Sequence, residues 1–161
     1  MKRKRPNKRI WLMTLAQVIA LRSTCIRRPV GCVITDSNGL ILATGYNGVA
    51  VGKPHCNEGH PCIGAFAKSG VDIHMCNAVH AEQNALVQCS DIGRAYAIFC
   101  TTMPCSECTK LLLNTSIHEI WYHHEYVHSA LVNELWRGRL IKRIEPYDAT
   151  AYESTKVGLE A

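Results

Sequence analysis

Two short stretches of the 161-residue chain hold side chains that do chemistry together: His80-Ala81-Glu82 and Pro104-Cys105-Ser106-Glu107-Cys108. Each opens a predicted helix. Cys105 and Cys108 are three residues apart, which turns both thiols to one side of a first helical turn. The positive end of that helix favours thiolate over thiol. A histidine from a second helix completes three protein ligands. Three ligands plus water is the arrangement of a catalytic zinc, whereas structural zinc takes four. His80 and Glu82 lie about 200° apart around a helix and share no mid-helix face. They serve one site only if the metal sits off the helix end, which a motif at the helix start satisfies. Zinc lowers the pKa of its water to about 7, and Glu82 is then the natural proton carrier. A lone C-x-x-C also occurs in redox and structural sites, and a lone histidine is more often a packed residue. The pair of motifs, with Pro104 before the first cysteine and 22 residues between Glu82 and Cys105, is much more specific.

The elements that position these motifs are read from periodicity. Ile10, Met13, Gln17 and Ala20, with Trp11, Leu15 and Val18, fall at helical spacing and predict an amphipathic first helix from Ile10 to Leu21. Val30–Thr35 and Leu40–Gly45 read as a hairpin about the turn Ser37-Asn38-Gly39. From Tyr46 to Met75 the chain is rich in Gly, His, Cys and Pro and lacks a clear period, so that segment is functional or held by something. Helices follow at Ala81–Cys89, Pro104–Asn114 and Val127–Arg137, the last stopped by Gly138. Strands follow at Ala95–Thr101, Glu119–His123 and Leu140–Ile144. This order predicts a three-layer α/β/α domain of the α/β class with a mixed five-stranded sheet. The expected division is a basic leader at 1–9, a domain at 10–145 and a polar tail at 146–161.

Net charge is +5, yet six of the 18 basic residues fall in the first nine positions (Lys2, Arg3, Lys4, Arg5, Lys8, Arg9). The remainder carries 12 basic against 13 acidic residues, a near-neutral body that argues against a broad face for double-stranded DNA. The basic run before an apolar stretch imitates a secretory signal. Thr14 and Gln17 interrupt that stretch, and Arg22 follows it with no small-x-small cleavage site. No run reaches the roughly 20 apolar residues of a membrane span. Nine cysteines beside eight histidines suggest metal rather than disulfides, and a reducing, cytoplasmic setting is expected.

Longer strings surround the motifs: Arg22-Ser23-Thr24-Cys25 with Arg27, Val30-Gly31-Cys32-Val33-Ile34, Gly45-Tyr46-Asn47-Gly48, Pro54-His55-Cys56 and Cys76-Asn77-Ala78-Val79 running into His80-Ala81-Glu82-Gln83-Asn84-Ala85. Together with the cysteine motif they resemble the deoxycytidylate (dCMP) deaminases of the zinc-dependent cytidine/deoxycytidylate deaminase family, including bacterial late-competence and phage relatives. The zinc motif itself is the general deaminase signature. The resemblance implies a cytidine deaminase-like fold, with zinc on His80, Cys105 and Cys108 and Glu82 as acid and base. It implies hydrolysis of dCMP to dUMP and ammonia, supplying dUMP for dTTP synthesis. In that reaction hydroxide attacks C4, Glu82 protonates N3, and a tetrahedral intermediate expels ammonia.

The resemblance also places Asn47, Gly45, Gly48 and Ala81 against the nucleotide, Arg27 on phosphate with Arg28 as its rival, and Tyr126 against the base. Plainer roles stand beside these: a turn after strand two for the glycines, a surface charge for either arginine, and a buried sheet-edge aromatic for Tyr126. Some family members hold a second, structural zinc in the irregular segment. The four-ligand expectation is Cys25, Cys56, His74 and Cys76, with Cys62 as the alternate. Cys32, Cys89 and Cys100 sit in apolar runs and read as core. Val49-Ala50-Val51 departs from the family pattern, and the pair His123-His124 has no assigned role. Family enzymes are often hexamers, activated by dCTP with Mg2+ and inhibited by dTTP, which no single residue here displays. The competing functions are a deaminase of dCTP or of a modified cytosine nucleotide, a tRNA or single-stranded DNA deaminase tethered by the leader, and an inert zinc module. Intact Glu82 argues against the last of these.

Overall fold

The structure, a computed structural model, describes residues 5–68, 71 and 75–147. Helix α1 runs Lys8–Ala20, capped by Asn7, whose Oδ1 accepts the Arg9 N–H at 2.9 Å. Lys8 and Arg9 therefore belong to the helix rather than to a separate leader. Lys8 donates to the Asn38 carbonyl, and Arg9 lies over the Trp121 ring, 4.7 Å from its centroid. Strands β1 (Gly31–Thr35) and β2 (Ile41–Tyr46) form the expected hairpin. Asp36 holds the turn by accepting the N–H groups of Asn38 and Leu40, and Gly39 takes the left-handed φ of 77°.

The irregular segment contains a feature that its sequence does not announce. Two-residue strands β3 (Gly48–Val49) and β4 (Ala78–Val79) pair antiparallel and tie its two ends together. Short 3-10 turns, among them Cys56–Glu58 and Ile63–Phe66, break the chain between them. Beyond β4 come α2 (Ala81–Gln88), β5 (Ala97–Thr102), α3 (Ser106–Leu113), β6 (Glu119–His124), α4 (Ser129–Leu135) and β7 (Leu140–Arg143). Pro104 lies one residue before the α3 cap rather than in its first turn, because Cys105 adopts the extended cap conformation.

The main sheet has the order β2-β1-β5-β6-β7. Strand β1 is antiparallel to β2 and β5, whereas β5, β6 and β7 are parallel. Alternating side chains leave its two faces for opposite layers. Val33, Phe99 and Trp121 pack against Leu12, Met13 and Ala16 of α1. Cys32, Ile34, Ile98, Cys100, Ile120 and Tyr122 pack against α2, α3 and α4 through Ala81, Ala85, Leu112, Val132 and Trp136. Both central strands are thus buried on each side, and the three-layer α/β/α expectation holds. Cys32, Cys89 and Cys100 are buried in the core, as their apolar runs indicate. No helix among the described residues is long and apolar enough to cross a membrane. At the C-terminal end of the described chain, the Tyr147 N–H donates to Thr14 on α1.

Two glycines set the distance between layers. Gly31 lies against the α1 backbone at Ala16 and Ala20, and Gly45 against the α2 backbone at Ala81 and Ala85. A Cβ on Gly45 would press into the Ala81 carbonyl, so α2 would have to move away from β2. Gly45→Ala is expected to destabilise the fold by about 1–3 kcal/mol in a denaturant titration. Gly93, with nothing within 4 Å of a built Cβ, should tolerate alanine with little change. Equal losses at both positions would contradict the close-approach role.

Candidate active site

Three segments end at one place on the rim of the sheet. Helix α2 begins directly after β4, with His80 as its N-cap, and the Gln83 side-chain carbonyl accepts the His80 N–H at 2.9 Å. Helix α3 begins directly after the β5 loop, with Cys105 as its N-cap. The Met103 N–H donates to the His124 carbonyl at 2.8 Å, which anchors that loop to the end of β6. Both motifs are therefore helix starts, and their side chains meet off the helix ends. His80 Nδ1 lies 3.5 Å from Cys105 Sγ and 3.3 Å from Cys108 Sγ. One donor atom from each of the three falls within 4.8 Å of the others. Tetrahedral zinc bonded at about 2.0–2.3 Å spaces its ligand atoms about 3.5 Å apart, so the set fits that metal.

Without a metal the three donors share protons among themselves. A hydrogen bond from Cys108, with His80 adding its own, draws the Cys105 thiol down to about 4. Cys108 moves the other way, because its hydrogen bond to Cys105 holds its proton and burial adds to this. The Cys105 hydrogen bond raises His80. Glu82 is 4% exposed, and burial pushes its carboxyl up to about 7. A carboxyl at that value both takes and returns a proton near neutrality.

A cavity of ≈ 260 Å³ opens over these groups. His80, Ala81, Glu82 and Cys105 line its inner end, with Thr102 and Met103 beside them, and Asn47, Arg27, Arg28, Val30 and Tyr126 line its walls. Ala81, Asn47, Arg27 and Tyr126 therefore all line the cavity. Gly45 and Gly48 do not line it. Gly45 makes room for α2, and a Cβ on Gly48 would meet the Thr24 hydroxyl at 2.7 Å, so both glycines serve packing. Arg27 is also partly engaged: its guanidinium donates to the Gly64 carbonyl at 2.9 Å. Arg28 makes no side-chain hydrogen bond or ion pair among the described residues. Tyr126 packs edge-on against His128, with ring centroids 5.7 Å apart. His123 and His124 sit next to one another with ring centroids 3.9 Å apart, and His123 approaches Glu145 at 3.1 Å.

A second cluster of thiols adjoins this cavity. Cys25 and Cys76 line the cavity itself. Cys62 Sγ lies 4.0 Å from Cys76 Sγ and also meets the Cys56 thiol. Burial raises the Cys62 thiol, but the Asn77 N–H and the thiols of Cys56 and Cys76 outweigh it and bring it down. Cys62 thus meets two other thiols, though among the described residues only His80, Cys105 and Cys108 bring three metal-donor atoms within 4.8 Å of one another. His74 lies outside the described residues. The signal for Cys62 was present in the sequence as its even share of a cysteine-rich segment. Ser23 and Gln83, which hold site residues by hydrogen bonds, carry no such compositional mark.

Comparison with known proteins gives a consistent answer. The model of the cytidine and deoxycytidylate deaminase zinc-binding region matches residues 6–124. Deoxycytidylate deaminase of Schizosaccharomyces pombe is 37% identical over 125 residues, covering 76% of this chain and 38% of that protein. The chain thus spans about two fifths of that relative's length. ComE operon protein 2 of Bacillus subtilis is 33% identical over 141 residues, covering 84% of this chain and 70% of its own. The dCMP deaminase of cyanophage S-TIM5 superposes in its apo form with a TM-score of 0.65 at 25% identity, over 88% of this chain and all of that one. Its complex with dCMP and dUMP gives 0.59 at 26% identity, over 82% and 93%. With one model spanning both motifs and a relative alike over most of both chains, this chain belongs to the cytidine and deoxycytidylate deaminase family.

Proposed function

We propose that the chain hydrolyses dCMP to dUMP and ammonia. The observation that carries this reading is a buried Glu82 beside three converging zinc donors at the inner end of a cavity walled by Asn47, Arg27, Arg28 and Tyr126. The phage neighbour in complex with dCMP and dUMP supports the choice of nucleotide. His80, Cys105 and Cys108 would hold the zinc, with Ala81 packed against the same end of the cavity. Zinc bound there supplies Lewis acidity that makes a coordinated water acidic near neutral pH. Glu82 takes a proton from the attacking water and delivers it to N3 of the cytosine; it then takes the proton of the new C4 hydroxyl and passes it to the amine, so that ammonia leaves as the C4 carbonyl forms. Tyr126 offers an apolar face to the base. Two arginines at the wall favour an anionic nucleotide over a free nucleoside. The near-neutral body of the chain speaks for a free nucleotide rather than a polynucleotide.

A second, structural zinc would draw on Cys25, Cys56, Cys62 and Cys76 to order a segment with little regular structure of its own; the 4.0 Å approach of Cys62 to Cys76 supports it, although among the described residues only His80, Cys105 and Cys108 already bring three donor atoms together. Four sulfur donors are a closed set, which suits a structural rather than a catalytic ion.

Purified protein is expected to convert dCMP to dUMP in a panel that also holds dCTP, CMP, deoxycytidine and modified dCMP, each with and without dCTP or dTTP as effector. Ammonia released from single-stranded DNA or tRNA, but not from dCMP, would overturn the reading. Glu82→Gln should keep the catalytic zinc and lose about 10²–10⁴-fold in kcat, because the carboxylate carries protons and is no ligand. Elemental analysis should find two zinc ions per chain, falling to one in Cys62→Ser. A single ion per chain that Cys62→Ser leaves in place removes the second site.

A further inference from the structure

Asn47 lines the cavity, but most of its amide is already in use. Its Oδ1 accepts the Ser23 hydroxyl at 2.6 Å and the Val30 N–H at 2.8 Å. Its Nδ2 donates to the Arg28 carbonyl at 2.9 Å. An amide oxygen has two lone pairs and the NH2 group two hydrogens. The oxygen is therefore filled, and one N–H is left over. The partners also fix which end is which: a flipped amide would set nitrogen against the Val30 N–H and oxygen against the Arg28 carbonyl. Asn47 meets a ligand as a donor only, so it reads an acceptor oxygen.

Ser23 is the residue that closes this arrangement without lining the cavity. Its hydroxyl hydrogen is shared between Asn47 Oδ1 and the Asn47 carbonyl, 2.9 Å away, and its oxygen accepts the Cys25 N–H at 3.1 Å. One hydroxyl thus joins the end of β2 to the start of the segment that brings Cys25, Arg27 and Arg28 to the wall. We propose that Ser23 is a positioning residue for nucleotide binding, which locks the Asn47 amide so that a single N–H faces an acceptor oxygen of the nucleotide. This rests on the dCMP reading above. Ser23 acts on binding and not on proton transfer, since its hydroxyl bonds to Asn47 and Cys25 and to neither Glu82 nor the catalytic-zinc donors His80, Cys105 and Cys108.

The test measures KM for dCMP, kcat, zinc content and the Kd of the product dUMP in Ser23→Ala, Ser23→Thr, Asn47→Ala and the Ser23→Ala/Asn47→Ala double variant. Losing one hydrogen bond should raise KM and Kd about three- to tenfold in Ser23→Ala. Turnover and zinc should stay as in the wild type, and threonine should restore affinity. In the Asn47→Ala background Ser23→Ala should have no further effect, because the path runs through Asn47. An equal penalty in both backgrounds, or a fall in kcat with KM unchanged, overturns the role. Where Ser23→Ala loses its zinc, Ser23→Thr decides: wild-type KM upholds the proposal and a raised KM overturns it. A wild-type chain that neither binds dUMP nor deaminates dCMP removes the function and Ser23's role with it. A wild-type chain that does both, and that Ser23→Ala matches, removes only the role of Ser23.

Discussion

Two helices must begin at the same point in space, and the rest of the molecule is arranged to make that happen. His80 and Cys105 are both N-cap residues, so the donors they offer lie off the ends of α2 and α3 and not along their sides. Helix starts carry unpaired N–H groups and a partial positive charge, which steady thiolates and a buried carboxylate alike. The parallel pair β5 and β6 fixes the start of α3, since a strand running into a helix delivers its loop to the C-terminal edge of the sheet. The α2 start is set differently. It depends on the short β3–β4 ribbon for its approach and on the bare surface of Gly45 for its depth.

The elements with a strong period were legible from the sequence. Each main strand and helix was found within about two residues of its pattern, because the short continuous apolar runs of β1, β5 and β6 fit strands buried on both faces. The helix boundaries were less so. The charge of Lys8 and Arg9 suggested a leader, yet Asn7 supplies a cap that begins the helix two residues earlier. Proline at position 104 suggested a first-turn residue, and the extended Cys105 displaced it outward.

The candidate site divides along the same line. His80, Glu82, Cys105 and Cys108 were legible because few other chemistries need those types at that spacing. Gly45 and Gly48 do not line the cavity, one making room for α2 and the other for Thr24, and such a glycine looks in sequence like one that admits a ligand. The β3–β4 pairing was invisible because two residues make no period. Cys62 and Ser23 depend on contacts between segments 14 and 24 residues apart in the chain, which local patterns do not encode.

The Arg27 guanidinium on the Gly64 carbonyl has a consequence for how the protein breathes. The stretch from Cys56 to Phe66 holds only two short 3-10 turns, so its own regular hydrogen bonding is slight. Segments of that kind open locally at far lower free energy than a central strand such as β5. Because the same stretch grips Arg27, and its Cys62 meets Cys76 of the cavity wall, local opening there would release both of these wall residues. The least regular part of the chain would thus tune how firmly Arg27 and Cys76 are held, without any change in the sheet beneath them.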